Sequence, residues 1–552
     1  MKRCLHRISG LLALSFVITT CMLIGAEAAK ARAVDDSIFN VLDFGSKGDG
    51  IKLDTKAIQA AIDACTKTGG TVVFPRGKYL TGTIKLKSHV TLDLPAGAVI
   101  LGSTKTSDYA TDIVGCAFIN EKHINKCLVY AEGAENIAIT GMGAIDGQGA
   151  SFPGATPEGK AADRPMLIRF VKCTNVALRD VSLKNAASWC TNLLSCTDVR
   201  VQGISITNRC NANNDGIDIT NSQKVRISDS IFITGDDGIC FQSMSNDDPV
   251  RDITITNCVF STRWAAIRSG GAHRGGIRNV TVSNCVIYDT YGCGIKLQVS
   301  GNCTMEDMTF SNIVMKNVSA PISLRFGNVH YNGEAFDDSH PWGTMRNILF
   351  NNIRASVLSA ADLKKANPDQ YPGEEKQCIS ICGIPNHPIE GITLSNIQVT
   401  YPGGGTSEEA AKRDLPELEA QYPEYFMWGV LPAYGLYARH ATGLSLNNVR
   451  FELAGDDSRP AIVFDQVRDL DIAGLRAGSN LGMESLLRLR STKDAFIQGC
   501  KPLGDTSVFV RVEGKDSSDI ALGSNDLHRV KTRFEVADGA DVKAIVAESP
   551  DR

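Results

Sequence analysis

Lys224-Val225-Arg226-Ile227 alternates polar and apolar side chains, and the same phrase returns along the chain. It reads Asn175-Val-Ala-Leu178, Asp198-Val-Arg-Val201, Asp252-Ile-Thr-Ile255, Asn279-Val-Thr-Val282 and Asp307-Met-Thr-Phe310. The first apolar positions are Val176, Val199, Val225, Ile253, Val280 and Met308, spaced by 23, 26, 28, 27 and 28 residues. The phrase recurs at Ile137, Ile348, Ile392, Leu444 and Leu470, with longer gaps. Alternation rich in Val, Ile and Thr is strand. A strand that returns at this period, with no helical pattern between, implies a coil of short strands stacked on the next coil. Each coil then rises by about 4.8 Å, one strand spacing. A leucine-rich consensus and propeller-type hairpin turns are both missing. The expected fold class is all-β, a right-handed parallel β-helix.

Bulk composition agrees. A chain of 552 residues is long for one ordinary core, but each repeat of a solenoid packs only on its neighbours. Hydrophobic content of 43% and charge of 21% exclude a disordered chain. A net charge of -4 gives no basis for binding nucleic acid or an anionic membrane.

Lys2, Arg3 and Arg7 precede an apolar run from Ile8 to Ile24, and Ala26-Glu27-Ala28 offers small residues for cleavage. Residues 1–28 therefore read as an export signal, implying a secreted or periplasmic protein. The run is short for a membrane span. Residues 36–552 are expected to form one β-helix domain. Of 17 cysteines, 15 follow the signal, an odd number that cannot fully pair. Cys173 with Cys196, and Cys258 with Cys285, hold matching repeat positions and suggest a buried thiol stack.

Ala57, Ile58, Ala61, Ile62 and Cys65 share one helical face. The spacing predicts a short N-terminal helix capped by Asp54, ended by Gly69-Gly70 and covering the open end of the solenoid. Insertions are expected near 355–377 and 402–426, with Glu408 to Tyr422 as a candidate helix. Tyr422, Tyr425 and Trp428 end the second insertion, which either walls a groove and favours exo cleavage or packs as a surface loop.

A second alignment stacks the coils. Gly216-Ile217-Asp218, Gly238-Ile239-Cys240, Ala266-Ile267-Arg268 and Gly294-Ile295-Lys296 place four isoleucines 22, 28 and 28 residues apart. They predict one interior ladder. An outward column of Asp218, Cys240, Arg268 and Lys296 follows, continued by Arg325 if Leu324 extends the ladder. Asp215 and Asp237 then become neighbours one coil apart, with Asp236 beside them. Strict alternation would turn these two inward, so a bend at Gly216 and Gly238 is required.

Crowded carboxylates repel one another. A solvated Asn-Asp-Gly turn is one alternative. A calcium loop is another, but Ser222 stands where such a loop carries Glu. Stacking on adjacent coils favours chemistry. Glycoside hydrolysis needs one protonated carboxyl and one ionised carboxylate, and like-charge crowding supplies the first. Arg268, Lys296 and Arg325 either hold an acidic sugar or balance the aspartates.

These residues resemble glycoside hydrolase family 28, the polygalacturonase-like pectinases, over most of the chain after the signal. Phe39 to Asp49, Gly69 to Pro75 and Ile145-Asp-Gly-Gln-Gly149 are similar to early family motifs. Asn214-Asp215-Gly216-Ile217-Asp218 and Gly235-Asp236-Asp237 resemble its two catalytic motifs. The resemblance implies an inverting hydrolase of a pectic, uronate-containing polysaccharide, galacturonan or rhamnogalacturonan in type. Asp236 would be the acid, Asp215 and Asp237 would hold the water, and Asp218 would support the cluster. Asn214, Asp218, Arg268, Lys296 and Arg325 would serve substrate binding. Inversion implies carboxyls about 6.5 to 9.5 Å apart. No metal or organic cofactor is implied. The partner is an acidic plant-type polysaccharide or its oligosaccharides, and a monomer is expected.

Two positions depart from the family. Its Gly-His-Gly is replaced by Arg263-Trp-Ala-Ala-Ile-Arg268, with His273 too far along to substitute. Its Arg-Ile-Lys is reduced to Gly294-Ile295-Lys296. A β-helix polysaccharide lyase using Arg268 as base and a non-catalytic glycan-binding or structural β-helix are the competing readings.

Overall fold

The computed structural model describes residues 37–114, 125–154, 163–270, 274–329 and 339–547. The segment read as a signal, and His273, lie outside the described residues. Among those described, no helix is long and apolar enough to cross a membrane.

The chain is a parallel β-helix. Ile137, Val176, Val199, Val225, Ile253, Val280, Met308, Ile348, Ile392, Leu444 and Leu470 stand opposite one another, coil by coil. The ladder continues through Ala495 to Ile520. All of these side chains are buried. Backbone hydrogen bonds run between coils, so each apolar residue packs on its counterparts above and below.

Corners need a backbone that β-branched residues avoid. Asn284, Asn312 and Asn352 supply it, with φ of 56°, 56° and 53°. The Asn312 amide donates to Asn284 Oδ1 at 3.1 Å, and the Asn352 amide to Asn312 Oδ1 at 2.9 Å. The corner thus carries its own side-chain ladder.

The N-terminal helix spans Thr55–Cys65 and buries Ile58, Ala61, Ile62 and Cys65 against the first coils. Asp54 is its N-cap, but its side chain makes no cap hydrogen bond. It accepts instead from the Lys47 and Gly48 amides, at 2.8 and 3.0 Å. Among the described residues, fourteen cysteines are free thiols, and thirteen of these are buried.

Glu408 to Tyr422 is not a helix. Only Ser407–Ala410 is helical. Beyond it the chain becomes a strap along the outer face of the solenoid. Arg439 takes its Leu415 carbonyl, and Arg325 takes those of Glu417 and Leu418.

The core ladder makes a direct prediction. Ile267→Ala should destabilise the protein by about 2–5 kcal/mol, because adjacent coils cannot collapse onto the void. Equilibrium denaturation of the two chains measures this.

Candidate active site

The isoleucine ladder fixes the site. Ile217, Ile239, Ile267 and Ile295 are register partners on successive coils, and so are Asp218, Cys240, Arg268 and Lys296. The expected continuation to Arg325 is wrong. Beyond a register shift between Thr290 and Cys293, Ile322 follows Ile295, Ser323 follows Lys296, and Arg325 lies opposite Gln298. Arg325 points along the same face but away from the aspartates. It holds the carbonyls of Gly383, Glu417 and Leu418, and its guanidinium lies 5.0 Å from the centre of the Trp428 ring.

Asp215 and Asp237 precede the strands Ile217–Thr220 and Ile239–Gln242. Both glycines between acid and strand are sterically required. A Cβ on Gly216 would meet Gly238 O at 2.3 Å, and one on Gly238 would meet Ala266 O at 2.6 Å. The turn is pinned from several sides. The Gly216 amide donates to Asp237 O at 2.8 Å, and the Asp236 amide to Asn214 O at 3.2 Å. Thr234 and Thr262 hydroxyls both donate to Asp236 O.

The bend brings Asp215, Asp236 and Asp237 together. One carboxylate oxygen of each lies within 4.8 Å of the others. This is tighter than the separation expected for an inverting pair, so spacing alone does not argue for inversion. A single water can still bridge two oxygens this far apart with two ordinary hydrogen bonds. Oxygens this close also have the donor chemistry for a divalent cation, but a guanidinium already supplies positive charge there.

That guanidinium is Arg268. Its Nη1 lies 2.6 Å from Asp237 Oδ2, and the Ala265 amide donates to Asp237 Oδ1 at 3.1 Å. Its Nη2 donates to the Tyr422 hydroxyl. Burial works against the charge on Arg268, but Asp237 and its other neighbours more than offset this and hold it firmly cationic. Lys296 is fully buried, 2.7 Å from Glu424 and 5.4 Å from the centre of the Trp264 ring.

The other two acids are pushed towards neutrality. Burial, then repulsion from Asp236, Asp218 and Asp237, raises Asp215 well above the usual carboxylate range. Its Oδ1 is buried without a hydrogen-bond partner. Burial and Asp237 raise Asp236 to about 7, against the pull of Arg268 and Lys296. Asp236 is half-buried, the most accessible of the three.

Two expected substrate contacts lie beneath the site instead. Asn214 is fully buried. Its amide donates to the Ala186 and Ser188 carbonyls, and its oxygen accepts from the Asn211 amide. No polar atom of it remains to face a sugar, so it positions the Asp215 turn. Asp218 is also fully buried and accepts from Gln242 Nε2 at 3.1 Å. Gln242, Thr262, Trp264, Tyr371, Glu424 and Phe426 join the site without having been selected from sequence. Trp264 had a signal, since it sits where the family motif is replaced. Glu424 and Phe426 had none, because an insertion has no repeat phase.

A β-helix carrying stacked, charge-tuned carboxylates on its outer face has the chemistry of a glycoside hydrolase. The sequence model described as Glycosyl hydrolases family 28 matches residues 65–414, and the chain belongs to that family. It is 26% identical over 379 residues to a probable polygalacturonase of Vitis vinifera, spanning 65% of this chain and 74% of that one. It is 29% identical over 336 residues to an exo-poly-alpha-D-galacturonosidase of Dickeya chrysanthemi, spanning 51% and 56% respectively. A solved family 28 exopolygalacturonase of Yersinia enterocolitica matches with a TM-score of 0.61 at 23% identity, over 80% of this chain and 78% of that one. Its fold is shared: a right-handed parallel β-helix. The protein is a glycoside hydrolase enzyme.

The raised carboxyls couple activity and stability to pH. Asp236 is held towards the neutral form up to about 7, and an acid catalyst so placed would lose turnover as pH rises through that value. The sign for stability follows from linkage. A carboxyl with a raised folded-state pKa destabilises the fold once it must ionise, and costs nothing where both states are neutral. Asp236→Asn should therefore raise the melting temperature by a few degrees at about pH 8 and leave it unchanged near pH 3. Calorimetric scans at the two pH values check this.

Proposed function

We propose that the enzyme hydrolyses an acidic pectic polysaccharide of galacturonan type, with inversion at the anomeric carbon. The convergence of Asp215, Asp236 and Asp237 within 4.8 Å carries the reading. Asp236, half-buried and protonated up to about pH 7, donates to the leaving oxygen. Asp215 and Asp237 hold the attacking water between them, and Arg268 pairs with Asp237 at 2.6 Å. Inversion rests on the family resemblance and on this water-holding pair. The names of the relatives support galacturonan as the polymer class.

The strap favours exo action. From Arg413 to Glu424 it runs back along the sheet to the aspartates, tied by Arg413 to Glu484 and Glu513, by Arg490 to Asp414, by Arg439 to Glu417 and by Lys296 to Glu424. A polymer crossing the site meets this wall on the C-terminal side. Entry by a chain end, and a secreted or periplasmic setting in which such polymers are met, complete the proposal. Lyase chemistry with Arg268 as base is disfavoured, because a guanidinium held firmly charged abstracts no proton.

Incubation with pectic polymers should release reducing ends without a rapid loss of viscosity, and NMR should show inverted anomers first. Asp236→Asn should lower kcat by roughly 10²- to 10⁴-fold while the protein stays folded. Unsaturated products absorbing in the ultraviolet, or initially retained anomers, would refute the mechanism.

A further inference from the structure

Both cations that act on the catalytic acids are already matched by groups of the protein itself. Arg268 is spent on Asp237 and the Tyr422 hydroxyl. Lys296 is fully buried, and its ammonium lies 2.7 Å from Glu424 Oε2. Glu424 belongs to the strap, 128 residues along the chain from Lys296. A uronate brought to Lys296 would set its carboxylate against Glu424, and like charges at that range repel.

What stands beside these groups is aromatic. Trp264 immediately precedes Ala265, whose amide binds Asp237. Its ring lies 5.9 Å from that of Tyr371 and 6.4 Å from that of Phe426. Tyr371 and Phe426 stack at 5.4 Å with planes 9° apart. Trp264 and Phe426 are half-buried, and Tyr371 is 53% exposed. The three rings come from a coil turn and from both insertions and form one aromatic cluster, open to solvent at Tyr371 and suited to packing on a sugar ring.

We propose that Glu424 is a specificity-determining residue. It occupies Lys296 as a substrate carboxylate would, so the subsite beside Trp264, Tyr371 and Phe426 takes an uncharged pyranose next to the scissile bond. That ring is either a neutral sugar or a methyl-esterified uronate. The inference rests on the pectin-directed reading and narrows it.

The test is calorimetric binding of three oligosaccharides to the Asp236→Asn chain, with initial rates on the active enzyme alongside. The probes are a de-esterified galacturonide, its methyl ester, and an alternating galacturonate–rhamnose oligomer. The expected result is at least about tenfold weaker binding of the de-esterified probe than of the better uncharged one. The other two probes separate ester from neutral sugar. Glu424→Gln in the same background should remove the discrimination, acting on Kd and KM with little change in kcat. Stronger binding of the de-esterified probe by the chain that keeps Glu424 overturns the proposal. So does binding of none of the probes, or an equal gain for all three in Glu424→Gln. The wild-type ranking stands even if that variant folds poorly. Failure of the hydrolase reading shows separately, as no reducing ends from any substrate while the binding order persists.

Discussion

The register between coils is the constraint on which everything else depends. Ile217, Ile239, Ile267 and Ile295 sit one above another because parallel backbone ladders leave each coil little freedom to slide. A slip of one residue would turn the interior ladder outward and bury the charged column. The same ladder sets Asp215 against Asp237, and Gly216 and Gly238 let the two turns approach to that distance.

Stacked acids work against the fold that brings them together. Burial and mutual repulsion raise Asp215 and Asp236, and Asp215 Oδ1 is left without a partner. Arg268 and Lys296, from the next two coils, relieve part of that repulsion. The cluster is thereby split into one carboxylate paired with a guanidinium and two carboxyls pushed towards the neutral form. Such asymmetry is what can separate an acid from a base among like carboxylates.

The strap gives the outer face its second layer. Arg325, Arg439 and Arg490 of the coils meet carbonyls and carboxylates of residues 414–418, and Arg413 of the strap meets Glu484 and Glu513 of the coils. Individually these contacts resemble ordinary surface ion pairs, but several are largely buried and they act in series. They carry Tyr422 and Glu424 onto Arg268 and Lys296.

The sequence by itself determined the coil, the interior ladder and the aspartate group. Each is written in a local, periodic pattern: alternation gives the strand, and a constant period gives the neighbour. The motifs Asn214 to Asp218 and Gly235 to Asp237 carried the family as well. The period failed where it was interrupted. After the register shift between Thr290 and Cys293, Ile322 and not Leu324 stands on the ladder, and Arg325 lies opposite Gln298. Burial was hidden too, since Asn214 has the same letters whether it faces a sugar or three backbone groups. Only the tertiary structure decided the partners of Lys296 and Arg268. Beyond Asp237 on the adjacent coil, those partners, Tyr422 and Glu424, come from an aperiodic insertion more than a hundred residues away, and arginines distributed along the sheet position it.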